Sequence, residues 1–391
     1  MRFNSRRSVM LFFLSVLCLQ QVKAADSTRT VKATILLPLY LDSVFNYSGY
    51  QYGNTLPRFL LPALEFYNGV QLAADSLERE GIKARVEIID SRNSNATQSV
   101  FRESPKPGFI IGVVQNGTEL KNLSSASLEA KTPFISATYP NDGGVTFNPT
   151  LLIVNSTLKS HCVAIYKYLQ RNYRRNNLVF VTRKSGEDDR IKRYFKEVEK
   201  IVQGEKIKWK MVSLPDTFNA ADLAVYLDSN KTNTILGGSF DKDFALRIIG
   251  TLSDMRTTYT SNVFGMPTWD ELPLEKPAYN GIDVYYSTPF VSYSANAEVF
   301  NSLNKKFKKI TNSRPSDMAF KGFEITYRFV KILYDHPDDF MAHINDKQYT
   351  LFADFDFEAN LTSDKDERIE YWENKKLYFV KKTDGQVKGV Y

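Results

Sequence analysis

The chain has 391 residues, 43 % hydrophobic and 24 % charged, with 51 Lys and Arg against 44 Asp and Glu. Four of the basic residues (Arg2, Arg6, Arg7 and Lys23) and no acid fall in the first 24 positions. The remainder therefore carries 47 against 44, a balance of +3 that argues against a nucleic-acid partner. Of the two cysteines, Cys18 and Cys162, only Cys162 lies beyond position 24, which excludes an intramolecular disulfide once that leader is removed.

The first 24 residues read as a secretory signal. A basic start precedes an apolar run at 9–19 that is too short to span a bilayer comfortably. Val22-Lys23-Ala24 fits a signal-peptidase site, so cleavage after Ala24 is expected. Leu17 precedes Cys18 where a lipid-attachment motif wants a small residue, so a lipid on Cys18 is not expected. No later segment is long and apolar enough to form a transmembrane helix, and a soluble mature protein in the periplasm is the expectation. Roughly 367 residues exceed what one hydrophobic core usually supports, which implies two lobes.

In chain order, residues 31–39 (VKATILLPL) form an apolar strand. Ala63, Phe66, Tyr67, Val70, Ala73, Ala74 and Leu77 recur at helical spacing, with Gly81 closing the helix. Residues 85–90 (RVEIID) give the second strand of a βαβ unit. Strands follow at 109–114 and 133–136, with a short helix at 120–128 between them. A strand at 151–155 opens a second series. There Leu158, Cys162, Ile165, Tyr168 and Leu169 share one helical face, and a strand at 178–182 follows. Next come a helix from Ile191 to Val202, a strand at 207–211, a helix at 220–227 and a strand at 232–236. A helix at 243–255 and strands at 262–265 and 282–287 complete the series. Two more helices, at 297–310 and 318–334, precede a tail rich in turns and strands. Two runs of alternating strands and helices predict an α/β fold of two doubly wound Rossmann-like lobes. The chain should cross between them near Asn155, near Ser287 and after about His336, which makes a three-stranded hinge. The expected domains are 25–155 with 288–336 for the first lobe, and 156–287 with 337–391 for the second.

Several ordered segments carry a resemblance. They are Ile35-Leu36-Leu37-Pro38, Glu65-Phe66-Tyr67-Asn68-Gly69 running on through Leu72-Ala73-Ala74-Asp75-Ser76-Leu77, and Ile110-Ile111-Gly112. Lys131-Thr132-Pro133-Phe134-Ile135-Ser136, Phe264-Gly265-Met266-Pro267-Thr268-Trp269 and Ala319-Phe320-Lys321-Gly322-Phe323-Glu324 follow. Together they resemble the type I periplasmic binding proteins, in the branch of the leucine/isoleucine/valine receptors. The chain is more closely similar to extracellular ligand-binding receptor domains of Bacteroidetes-type bacteria. The resemblance implies that the loops after Gly112 and Ser136 hold a ligand carboxylate. Relatives that bind amino acids carry a hydroxyl residue four places after that glycine. Here the position is Asn116, whose reach and shape differ, and this weakens the amino-acid implication. Gly69, mid-helix, costs about 1 kcal/mol against alanine, so a close helix-to-sheet approach is expected there.

Ligand contacts are expected from Gly112, Gln115, Asn116, Ser136, Ala137, Thr138 and Tyr139 in the first lobe. The second should supply Thr182, Ser185, Ser239, Asp241 and Trp269, Asp241 pairing with a ligand ammonium and Trp269 offering an apolar or cation–π face. The alternative is that Asp241 caps the helix that follows it and Trp269 packs on its own loop. The aromatic insertion at 42–58 reads equally as a lid at the cleft mouth or a loop folded over the outside. His161 and Cys162 point about 100° apart on one helix and read as core. His336 and His343, seven apart with no cysteine near, lack the look of a zinc site. The chain has no H-E-x-x-H, no G-x-x-x-x-G-K, no G-x-G-x-x-G and no complete nucleophile elbow. No enzyme, cofactor or metal is expected. The expected role is a monomeric receptor for a small polar solute that presents it to a membrane partner such as an ABC importer. The alternative is an envelope protein that regulates cell-wall enzymes or signalling through protein contacts, since fold does not fix function.

Overall fold

The computed structural model describes residues 29–291, 297–362 and 367–390, so the segment expected to be a signal sequence, with Cys18, lies outside the described residues. β1 (Thr30–Leu37) leads through a one-turn helix α1 (Leu41–Val44) and a small ribbon, β2 (Phe45–Asn46) with β3 (Gly49–Tyr50), into α2 (Leu61–Arg79). β4 (Lys83–Asp90), α3 (Ser94–Val100), β5 (Phe109–Gly112), α4 (Gly117–Ala130), β6 (Phe134–Ser136) and β7 (Leu151–Ile153) complete the first series. The second runs α5 (Leu158–Asn172), β8 (Asn177–Arg183), α6 (Gly186–Ile201), β9 (Trp209–Leu214), α7 (Ala220–Ala224) and β10 (Asn233–Gly237). It ends with α8 (Lys242–Asp254), β11 (Ser261–Phe264) and β12 (Asp283–Thr288). α9 (Ala297–Thr311) and α10 (Asp317–Asp335) then precede β13 (Phe357–Leu361), β14 (Ile369–Asn374), β15 (Tyr378–Thr383) and β16 (Gln386–Val390).

Two seven-stranded sheets result, ordered β13-β14-β7-β6-β5-β1-β4 and β16-β15-β12-β11-β10-β8-β9. Their pairings are parallel except where the tail strands join, β13 on β14 and β15 on both β12 and β16. Both faces of the first sheet are covered, which is why β1 is apolar almost throughout. Ile35 and Leu37 pack in one cluster with Phe66, Val70 and Ala73 of α2, while Leu36 points the other way toward Leu120 and Leu123 of α4.

Two expectations are corrected. The close approach at Gly69 is to a helix, not to the sheet. A Cβ on Gly69 would lie 2.0 Å from the Ala319 carbonyl oxygen, and one on Gly322 would lie 2.2 Å from that of Phe66. α2 and α10 therefore cross backbone on backbone, each through a glycine of the other. The second correction concerns the tail, assigned as a whole to the second lobe. β13 and β14 instead extend the first sheet, with Trp372 and Glu373 paired to Leu152 and Ile153. Only β15 and β16 belong to the second. The third crossing is thus at 375–377, well beyond His336, because β14 finds its partner on the open edge of β7. The β15–β16 hairpin turns at Asp384 and Gly385, both with positive φ (48° and 77°), as a two-residue turn between antiparallel strands favours.

Candidate functional site

Most of the loop residues expected to face a ligand make internal bonds. Gly112 ends β5, and a Cβ there would strike the Phe134 ring at 2.6 Å, so its missing side chain serves packing. Its carbonyl accepts the Ala137 N–H at 2.9 Å. Gln115 accepts the Tyr40 hydroxyl at 2.7 Å through Oε1. Asn116 caps α4, its Oδ1 taking the Glu119 N–H at 2.9 Å. Ser136 is fully buried, its hydroxyl without a partner among the described residues. Thr138 donates to the Val114 carbonyl at 3.1 Å, and only Tyr139 of this group reaches the cleft described below.

The second lobe behaves alike. Thr182 is buried against Ser213 at 2.9 Å, and Ser185 caps α6. The Ser239 carbonyl accepts the Trp269 indole N–H at 2.8 Å. Asp241 caps α8 through the Phe244 N–H at 2.8 Å and pairs with Arg183 at 2.9 Å. Trp269 is 1 % exposed. Its ring fills the space above two glycines, where a Cβ on Gly237 or Gly265 would come within 2.3 or 2.1 Å of it. In this conformation it offers no face to a solute, and Asp241 is committed to its cap and to Arg183. The helix-cap alternative describes Asp241, whereas Trp269 packs beyond its own loop, on Gly237 and under the Ser239 carbonyl after β10.

What the two lobes do enclose is a cleft of about 370 Å³ against the hinge. Residues after the carboxyl ends of β6 (Tyr139 to Asn141), β10 (Phe240), β11 (Pro267, Thr268, Asp270, Glu271) and β12 (Pro289) surround it. Asn155, His161, Ser287 and, from α10, Lys321 line it from the hinge side, with Arg190 of α6 at the rim. His161 is 3 % exposed and its Nδ1 lies 2.7 Å from the Ser287 hydroxyl. Burial pulls its pKa down to about 4 against the opposing field of Glu373, so the imidazole is neutral at pH 7. The Lys321 ammonium stands 5.7 Å from the centre of the Phe290 ring. Burial lowers its pKa, with Asp317 and Asp270 opposing. The cleft thus offers the part-buried Lys321 amine, the Asp270 carboxyl, a Glu271 carboxylate already paired to Lys242, a neutral imidazole and two aromatic side chains.

A larger groove of about 790 Å³ runs between α3 and α4 and includes Asn116, Arg92 and Glu119. It is built from the first lobe alone, so a solute there would touch nothing on the second sheet. The insertion after β1 stands at the strand carboxyl rim, where the Leu39, Tyr40 and Leu41 N–H groups all bond the Asp90 carboxylate at 2.8–3.2 Å. Its Phe45 and Tyr47 are exposed, as is Phe59 directly after it.

Sequence reasoning missed His161, Lys321 and Asp270 as cleft residues. His161 and Cys162 read as core because adjacent helical residues point about 100° apart; Cys162 is buried, its thiol pushed up by burial, while His161 borders the cleft. Asp270 directly follows the loop that was identified. Lys321 lies on a helix that returns to the cleft only after the five parallel strands of the second sheet, β8 to β12, are in place. Among the described residues no helix is long and apolar enough to cross a membrane.

No known protein family's sequence profile matches the chain, and no curated protein matches it in sequence. Solved structures do match in three dimensions. A protein assigned as a branched-chain amino acid ABC transporter from Rhodospirillum rubrum aligns over 93 % of this chain and 100 % of its own, at 12 % identity and a TM-score of 0.66. A branched-chain amino acid ABC transporter periplasmic ligand-binding protein from Burkholderia xenovorans covers 92 % of this chain and 94 % of its own, at 12 % identity and a TM-score of 0.57. An ABC transporter substrate-binding protein from Desulfitobacterium hafniense, in complex with Leu, covers 93 % and 100 % at 12 % identity and a TM-score of 0.56. At this identity the likeness establishes the fold, two α/β lobes of the type I periplasmic binding protein kind.

Proposed function

We propose that the chain is a periplasmic solute receptor that closes its lobes on a small polar ligand, an amino acid or short peptide, and presents it to a membrane partner such as an ABC importer. The observation that carries this reading is the hinge-side cleft, lined from both lobes by Lys321, Asp270, His161, Tyr139 and Phe240. A volume near 370 Å³ sits at the lower end of the range for small-molecule sites. A cation and carboxylates placed around one cavity suit a zwitterion, the cation for its carboxylate and the acids for its ammonium. The segment read as a signal sequence and the fold shared with ABC-transporter binding proteins support the same reading, in which the chain acts as a monomer. The contact set differs from the one expected from the loops: Lys321, Asp270 and His161 take the roles first given to Asp241 and Trp269. Catalysis has no comparable support, since His161 is tied to Ser287 and Cys162 is buried beside it.

The test is a thermal-shift screen of the mature protein against amino acids, short peptides, nucleosides and cell-wall fragments. A ligand at 100 times its dissociation constant adds about 2.7 kcal/mol to stability. Lys321→Met and Asp270→Asn should then each weaken the hit by about ten- to hundredfold, as expected for a lost charged hydrogen bond of about 1.5–3 kcal/mol. Unchanged affinity in both would remove the cleft as the working surface. A second reading, an envelope protein acting through protein contacts, is favoured by one observation: the exposed apolar side chains of Leu41, Phe45, Tyr47, Leu56 and Phe59 at the strand rim. A screen without a hit would make it the better of the two.

A further inference from the structure

Two of the chain's three histidines meet at one place that the cleft does not use. His336 is the residue that ends α10. A single turn, Phe340–His343, folds the chain back so that the imidazoles of His336 and His343 stack, ring centres 3.4 Å apart and planes 12° from parallel. One nitrogen of each ring and one carboxylate oxygen of Asp346 all lie within 4.8 Å of one another. Asp339 joins them, its carboxylate 3.1 Å from His343 Nε2 and 3.9 Å from His336 Nδ1. Asp346 lies 2.9 Å from His343 Nδ1. The three clustered groups are only partly buried, which gives an ion a way in from solvent.

We infer that His336, His343 and Asp346 form a binding site for a divalent transition-metal ion of the zinc class on the first lobe, with Asp339 on the other ring nitrogen of His343 as an outer hydrogen-bond partner that orients the imidazole. Imidazole nitrogens with carboxylate oxygens are the donor set such ions take. In a tetrahedral zinc site with bonds of about 2.0–2.2 Å the ligand atoms stand about 3.3 Å apart. The present set has therefore to close by on the order of 1 Å, a movement within the rotamer freedom of partly exposed side chains. The site's electrostatics favour a cation. It sits at the carbonyl end of α10, the negative end of a 19-residue helix. Asp339 and Asp346 flank it. Lys347, the nearest lysine in sequence, is turned to Asp354 at 2.9 Å. The ion would staple the end of α10 to the segment that leads to β13. It is a site separate from the solute cleft, since His336 is fifteen residues along α10 from Lys321, about 22 Å at 1.5 Å per residue.

The experiment uses the chain prepared without a histidine tag and stripped with EDTA, titrated with ZnCl₂ by calorimetry. One equivalent should bind. His336→Gln and His343→Ala should each weaken binding by about tenfold or more, with circular dichroism unchanged in the absence of metal. Co²⁺ in place of Zn²⁺ should show visible d–d bands that His343→Ala abolishes. Should His343→Ala fail to fold, Asp346→Asn and His336→Gln carry the same test. Absence of stoichiometric binding, or binding that all three substitutions leave intact, would overturn the site and show adventitious carboxylates instead. None of these results depends on whether the cleft binds a solute.

Discussion

The crossing of α2 and α10 yields a prediction whose sign differs from what helix propensity gives. Gly69→Ala should gain about 1 kcal/mol from propensity, because glycine is the poorer helix former by that amount. Against it stands a Cβ placed 2.0 Å from the Ala319 carbonyl oxygen, 2.8 Å from the Phe323 nitrogen and 3.0 Å from the Ala319 carbonyl carbon. All three are backbone atoms, so no rotamer change relieves the contact and the helices must separate by on the order of 1 Å. Overpacking of a tight interior costs about 1–3 kcal/mol, occasionally more, and a backbone obstacle belongs at the upper end. The expected net effect is a loss of about 2 kcal/mol, read as a lower midpoint in urea. The control is Gly250→Ala in α8, where the nearest atom to the new Cβ is 3.7 Å away, an ordinary contact. That variant keeps the propensity gain and should be as stable as the wild type or up to about 1 kcal/mol more. Gly322→Ala should repeat the loss, and the double variant should lose less than the two singles combined, since one separation relieves both clashes. A Gly69→Ala variant as stable as Gly250→Ala would refute the backbone-on-backbone crossing.

Trp269→Ala should cost about 3–5 kcal/mol in chemical denaturation, because it empties the space above Gly237 and Gly265; a well-folded variant with only a binding defect would restore the ligand-platform role. Asp241→Ala should cost about 1–2 kcal/mol, from the lost cap and the half-exposed Arg183 pair, and leave cleft affinity unchanged. Calorimetry of that variant with a screened ligand decides the point, a tenfold loss of affinity counting against the assignment. His161 has a folded pKa of about 4 against an ordinary 6.5, so the unfolded chain takes up a proton across that interval that the folded chain refuses. Its contribution to stability is present above about pH 6.5 and is lost as pH falls toward 4, by up to about 3 kcal/mol at 1.36 kcal/mol per unit. Denaturation curves of His161→Gln against the wild type at several pH values should therefore diverge in slope across that window, and parallel slopes would contradict the buried neutral imidazole.

The strands of both sheets were legible because parallel strands covered on two faces are short apolar runs, and the helices between them repeat at 3.6 residues. β9 was displaced, 209–214 rather than 207–211, because the Ile207 N–H bonds the Tyr166 hydroxyl at 3.2 Å instead of joining the ladder. The tail was legible as strands but not as to which sheet each joins, for an edge strand's partner depends on which edge lies open in space. In the site, the loops were located but their roles were not. Asp241 stands where a helix cap is wanted, a local signal that outweighed the functional one. Trp269 is explained by glycines at the ends of two neighbouring strands, Gly237 of β10 and Gly265 just after β11, which no pattern along one strand reveals. Lys321 and His161 are brought to one cavity from positions 160 residues apart by the return of α10 to the first lobe.

That return also bears on how a cleft of this kind would report occupancy. Two of the three crossings are tied side by side: the Ser156 hydroxyl donates to the Asn374 carbonyl at 2.5 Å, and the Asn374 amide donates to the Val154 carbonyl at 3.1 Å. Glu373, 1 % exposed, accepts the Thr157 N–H at 2.8 Å, the Ser160 hydroxyl at 2.6 Å and the Lys375 ammonium at 2.5 Å. Burial works to raise its pKa, but Lys375 and these donors overcome it and hold the carboxylate below its ordinary range. Hydrogen bonds of this directionality resist sliding in a way that apolar contacts do not, so a change of lobe angle is confined to the few residues between them. His161, on the same turn as Ser160, reaches across to Ser287 at the end of β12, beside the remaining crossing. His161 and Ser287 therefore belong both to the hinge and to the cleft wall. A ligand shifts a two-state equilibrium only by its difference in affinity for the two states. A solute held by one lobe alone has no such difference, whereas one that touches His161, Ser287 and Lys321 together is sensitive to the lobe angle through every contact it makes.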